Sequence, residues 1–180
     1  PSPRPPVKDR PHRLSVTAVE RLIRDPYSIY AGRVLGLRRL DPLTAEADAP
    51  LRGIIIHKIL ERFLRDTPDP SRPGARAHLL ALADEVLARE CPWPTIRQLW
   101  RARLARVADW FLEGEVERQA EGRPILFEEK GATVVESLGV TLSAEADRLD
   151  LAPDGRVLIY DYKTGAPPTI KQQGLFSKQL

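Results

Sequence analysis

The last third of the chain is patterned in period two. Val140-Thr141-Leu142-Ser143-Ala144-Glu145-Ala146-Asp147 alternates apolar and polar residues, and Val157-Leu158-Ile159-Tyr160 is an apolar run that ends in Asp161-Tyr162-Lys163. Strands are therefore predicted near 125–136, 140–149 and 156–162, with Pro153-Asp154-Gly155 as a turn between the last two. Upstream the period lengthens. Apolar residues at 56, 59, 60, 63 and 64 form a helical stripe within 51–64. Further helices are predicted from about 75 to 89 and from Pro94 to about Glu121, the second with Leu99, Trp100, Leu104, Val107, Trp110 and Phe111 on its apolar face. The tryptophans read as core rather than as platforms for stacked bases. Thr17 and Glu20 have capping-box spacing, and Asp25-Pro26 opens another helix that runs through Tyr30 toward Val34. Segments 41–50 and 67–74 read as loops, and the five prolines within 1–13 as a flexible linker ahead of a domain covering 14–180. Helices followed by three consecutive strands predict an α+β fold, an antiparallel meander packed against N-terminal helices.

The strand reading carries chemistry. In period two, Asp161 and Lys163 share a face, and a hairpin brings Asp147, fourteen residues upstream, to the same sheet end. Carboxylate oxygens suit a hard divalent cation, and a neighbouring ammonium can orient water or offset charge on a phosphate. Glu128 and Lys130 repeat the acid-x-lysine spacing but only open a strand, and Asp161 taken alone also fits a solvated strand end. His57 lies beside the helical stripe, as a core histidine or as a ligand. Glu145 alternates onto the face of Asp147 and is an accessory acid or a solvated residue. Arg148 is placed to contact phosphate or to pair with Asp150.

These motifs resemble a known family. Gly53 with His57, Ala146-Asp147-Arg148 with Asp150, and Asp161-Tyr162-Lys163-Thr164-Gly165 resemble the RecB-like branch of the PD-(D/E)XK nuclease superfamily. Leu14-Ser15-Val16-Thr17-Ala18-Val19-Glu20, Asp25-Pro26-Tyr27 with Tyr30-Ala31, Val34-Leu35-Gly36-Leu37 and Lys178-Gln179-Leu180 are similar to the C-terminal nuclease domain of AddB-type subunits of bacterial helicase-nucleases. The resemblance implies a restriction-endonuclease-like core in which His57, Asp147, Asp161 and the Tyr162 carbonyl bind Mg²⁺ or Mn²⁺ and Lys163 assists catalysis. It also implies a DNA exonuclease that processes double-strand breaks for recombinational repair, fed single-stranded ends by a helicase subunit, while the lone cysteine and the lack of a membrane-length apolar stretch read as cytoplasmic.

Three departures accompany it. Many relatives hold an iron-sulfur cluster on four cysteines, whereas this chain has only Cys91, so no cluster is expected. The family's next element is a helix that begins near Gln179, so the core's last helix and strand are expected to be truncated. Ala146 stands where a proline usually precedes the first motif acid.

Composition changes the picture in few places. The net charge of +3 hides an asymmetry: residues 1–40 carry nine Arg/Lys against three Asp/Glu, and 125–165 carry four against eight. A basic approach to an acidic pocket suits a polyanion, although Arg outnumbers Lys 22 to 6 throughout. The absence of methionine reads as a piece of a longer protein. No stretch approaches the roughly 20 apolar residues that cross a bilayer. Lys163-Thr164 is not a phosphate-binding loop, because Tyr162 and Val157 occupy positions that need glycine. A rival from another class is a noncatalytic DNA-binding or scaffold module that docks a helicase partner. A truncated sheet also invites dimerisation or strand exchange.

Overall fold

The computed structural model describes residues 4–40, 43, 44 and 46–165. Its elements are β1 (Arg13–Ser15), α1 (Val16–Arg24), α2 (Pro26–Ile29), α3 (Ala49–Asp66), α4 (Ala75–Glu90), α5 (Pro94–Glu121), β2 (Arg123–Val135), β3 (Val140–Leu151) and β4 (Val157–Tyr160). A π-helical turn, Tyr30–Val34, continues α2. The strands follow the order β1-β3-β2, with β4 also paired to β3. The fold is thus mixed, five helices with a four-stranded sheet, and the helices-then-strands order predicted from sequence is present. What the pattern did not show is β1, which runs parallel to β3 with Leu14 opposite Leu142. Three residues are too few for a periodic signal.

The described residues form two compact units. The first joins the segment up to Leu43 with Lys130–Glu145. Its small core is Leu14, Ala18 and Ile29, with Val19, Val140 and Leu142 packed against them. The cap of α1 is Ser15, whose Oγ accepts from the Ala18 amide at 3.1 Å, and not Thr17. Ser15 is still extended as it leaves β1, which is the conformation an N-cap needs. Asp25 caps α2 ahead of Pro26, as its sequence position predicts.

The second unit holds Thr44–Glu129 and Ala146–Gly165. Asp48 caps α3 by accepting the Leu51 amide at 2.9 Å, and α3 buries Ile55, Ile59, Leu60, Phe63 and Leu64. These pack with Leu79, Ala83, Val86 and Leu87 of α4 and with Trp100, Leu104, Ala108 and Phe111 of α5. Burying a side chain of this kind contributes about 1.5–3 kcal/mol, so this layer is the main apolar reservoir. The face of α5 differs from the expected one. Trp100 is 4% exposed, but Trp110 is 75%, and Leu99 and Val107 are also exposed. The buried stripe is 100, 104, 108, 111 and 115, a regular helical spacing whose last member is Glu115. An acid inside a stripe is invisible to a hydrophobic pattern. At the end of β3, Gly155 takes φ +87° and its amide bonds Ala152 O at 3.0 Å, the left-handed turn its composition predicts.

Candidate metal centre

Two strands and a helix of the second unit converge. On β3 and β4 the register pairs Arg148 with Tyr160 and Leu149 with Ile159. Asp147 precedes and Asp161 follows the Arg148–Tyr160 pair that ends this ladder, and Asp161 is among the groups acting on the Asp147 carboxyl. Strand β4 ends at Tyr160 and does not extend to 162. The reason is local: the Tyr162 amide donates to Asp147 Oδ2 at 2.6 Å, a side-chain acceptor in place of a ladder carbonyl. The Tyr162 carbonyl accepts from His57 Nε2 at 2.7 Å, which ties α3 to the same turn. Lys163 Nζ lies 2.5 Å from Asp161 Oδ2, so these two do share a side of the chain.

His57 has its other nitrogen among acids. Nδ1 is 3.5 Å from Asp147 Oδ1 and 3.7 Å from Glu128 Oε1. The Asp147 carboxylate raises the His57 pKa above 6.5, against an opposing effect of burial, with help from the Tyr162 carbonyl and Glu128. Burial works to raise the Asp147 pKa, yet His57, the Tyr162 amide and Asp161 outweigh it and hold that carboxyl below its usual value. Asp147 is therefore ionised at neutral pH and available as a ligand.

Ligand atoms of His57, Glu128 and Asp147 lie within 4.8 Å of one another. One imidazole and two carboxylates form a donor set that fits a divalent ion such as Mn²⁺ or Mg²⁺. Glu128 is the residue sequence reasoning passed over. Its φ of +49° is the one positive value at a non-glycine among the described residues. Such strain costs about 1–3 kcal/mol and collects at functional sites. Nothing in a Glu-x-Lys spacing reports a backbone dihedral, so no sequence signal marked it.

The remaining sequence-predicted residues divide. Glu145 is exposed in the first unit with Lys130 Nζ 3.8 Å away, the solvated reading. Of the two readings of Arg148, the ion pair is present. Its side chain is fully buried, with Nε and Nη2 on the Asp150 carboxylate at 2.6 and 2.5 Å and Nη1 on both Glu115 oxygens at 2.6 Å. Arg148 therefore has no free face for phosphate. Gln179 lies outside the described residues. Cys91 is buried in the helical core. No helix among the described residues is long and apolar enough to cross a membrane.

Known proteins resemble this chain over most of its length. Uncharacterized proteins of Rickettsia bellii and Rickettsia typhi are 30% identical over 164 and 168 residues, and one of Rickettsia conorii is 29% identical over 168. Each match covers 90% of this chain and 19–20% of the relative, so the chain spans about one fifth of the length of the curated relatives it matches. Residues 13–180 match the PD-(D/E)XK nuclease superfamily, a stretch that holds His57, Glu128, Asp147, Asp161 and Lys163, and on that match the chain belongs to this superfamily.

Proposed function

We propose that this chain is a metal-dependent DNA nuclease domain that hydrolyses phosphodiester bonds, and that His57, Asp147 and Asp161 hold the ion with the Tyr162 carbonyl. One observation carries the reading: an imidazole and two acids from α3, β2 and β3 meet within 4.8 Å beside the Asp161–Lys163 pair. Glu128 joins the proposed ligand set on the same ground. When bound, a divalent ion polarises the phosphate and lowers the pKa of water.

The side chains have distinct tasks in this proposal. The His57 Nε2–H donates to the Tyr162 carbonyl, which leaves Nδ1 to face the acids. The two ring nitrogens point to opposite sides, so the Tyr162 carbonyl joins the ion's ligands only when His57 releases it. Asp161 holds Lys163 Nζ, an ammonium that can orient attacking water and offset charge on the phosphate. Because Lys163 is about half exposed, it can exchange its Asp161 contact for one to substrate.

The place of this chemistry in the cell is part of the same proposal. The AddB-like motifs support an exonuclease role in double-strand break processing, with single-stranded ends supplied by a helicase partner. The charge asymmetry between residues 1–40 and 125–165 supports a polyanionic substrate. The test is cleavage of end-labelled linear single-stranded DNA by the full-length protein with Mg²⁺ or Mn²⁺, beside Asp161→Ala and Lys163→Ala. Loss of cutting in both folded variants is expected. A wild type that binds DNA and metal but does not cut, alone or with its helicase partner, would replace this reading with the scaffold one.

A further inference from the structure

Tyr162 meets the acidic cluster with its main chain and the protein interior with its side chain. Its amide and carbonyl hold Asp147 and His57 at 2.6 and 2.7 Å. Its ring tilts against Phe111 of α5, with centroids 6.4 Å apart, and stands edge-on to His57. Its hydroxyl accepts from Arg148 Nη1 at 3.2 Å. Arg148 in turn is clamped between Asp150 and Glu115. Glu115 also accepts from Arg118 Nε at 3.0 Å and Gln119 Nε2 at 2.9 Å. Two carboxylates and two guanidinium groups thus balance behind the site.

Period-two alternation explains the wiring. Asp147 turns to the cluster, so Arg148, the next residue, turns inward, and Asp150 shares its face. Phe111 and Glu115, one helical turn apart, meet Tyr162 and Arg148 from α5. A buried ion cluster is a poor source of stability, because desolvation consumes most of the Coulomb gain and apolar replacements often do as well. What it does supply is direction. Arg148, with Glu115 on one side of its guanidinium and Asp150 on the other, can present Nη1 to the Tyr162 hydroxyl in one way only.

We propose that Glu115, Arg148 and the Tyr162 hydroxyl are positioning residues. Through them α5, which contributes no ligand, fixes the Tyr162 main chain and thereby the spacing of Asp147 and His57 for a divalent cation. The inference rests on the reading that those two residues face the ion.

The experiment measures Mn²⁺ binding to the full-length protein without DNA, by electron paramagnetic resonance of the free ion. Hydrogen exchange of the residue 162 amide in the metal-free protein accompanies it. Tyr162→Phe, which deletes only the hydroxyl, should weaken Mn²⁺ about threefold to tenfold. Glu115→Gln should weaken it about tenfold to a hundredfold, as for groups that orient metal ligands. Both should speed exchange at residue 162 while amides of α4 keep their protection, which a general loss of stability would not allow. Should Glu115→Gln fail to fold, Tyr162→Phe carries the test. Asp147→Asn is the control. If it loses Mn²⁺ while both folded variants bind and exchange as wild type does, the positioning proposal is overturned and the metal reading stands. If wild type takes up no Mn²⁺, or Asp147→Asn binds as tightly, both fall.

Discussion

Asp147 precedes and Asp161 follows the Arg148–Tyr160 pair that ends the β3–β4 ladder, which leaves the two acids at one end of the sheet. Two carboxylates so placed repel unless cations stand by, and His57 and Lys163 do. Replacing either acid by asparagine keeps the shape and removes the charge. In Asp147→Asn the side-chain oxygen can still accept the Tyr162 amide, so the turn survives. If these acids hold the ion as proposed, DNA cleavage should fall on the order of a hundredfold or more in each variant. Affinity for single-stranded DNA, read by fluorescence anisotropy in EDTA, should hold or rise, since one fewer negative charge opposes phosphate. A variant that binds DNA poorly and cuts normally at saturation would contradict the assignment.

Glu128 separates stability from function. Its left-handed backbone suits glycine, whereas its carboxylate lies 3.7 Å from His57 Nδ1. Glu128→Gly should be more stable than Glu128→Ala by about 1 kcal/mol in urea denaturation, because alanine keeps the strain. Both should bind Mn²⁺ more weakly than wild type. Equal stability of the two would mean that the strain is absent in solution.

His57 should report the cluster through its titration. Its folded pKa lies above the unfolded value of 6.5, chiefly because of Asp147. A raised pKa contributes stability that is fully present below pH 6.5 and is lost as pH rises through the folded value. Asp147 has the opposite sign, since its lowered pKa stabilises above the usual 3.8 and that contribution fades as pH falls through the depressed value. The metal-free protein should therefore be most stable between these two pKa values as far as this pair is concerned. Metal competes with the proton on Nδ1, so apparent Mn²⁺ affinity should climb with pH through the same range and release a proton. An NMR titration of the His57 ring checks the cause: in Asp147→Asn its pKa should drop back toward 6.5.

The sequence revealed what is periodic and what is punctuated. Helices α3, α4 and α5 and strands β2 to β4 fall close to their expected ranges, because stripes and turns such as Pro153-Asp154-Gly155 are local signals. Asp147, Asp161 and Lys163 stand out in one dimension as charges at strand ends, whereas His57 beside a stripe joins them only through the family resemblance. Glu115, Glu128 and Trp110 were not. Glu115 is a charge where the helix pattern wants an apolar residue, and only Arg148, thirty-three positions away, accounts for its burial. Glu128 depends on a dihedral angle. Trp110 reads as part of the apolar face of α5, yet the helix turns its buried face to Ala108 and Phe111. Each miss is a tertiary fact overriding a local one.

Gly122 supplies a test of the frame that carries the site. It ends α5 and leads directly into β2, with extended backbone at φ −164°, so any residue could adopt its conformation. Space is the constraint. A Cβ built there meets Leu158 Cδ1 at 3.1 Å, Leu151 O at 3.2 Å and Ala152 N at 3.3 Å, and the last two are main-chain atoms that cannot rotate away. Relief would shift the end of β3, three residues beyond Arg148. Gly122→Ala should therefore cost about 1–3 kcal/mol in urea denaturation, as overpacking does elsewhere. It should also weaken Mn²⁺ binding, because Arg148 and Asp150 move with that strand end. If stability falls while Mn²⁺ affinity holds, the strand end is mechanically separate from the metal centre.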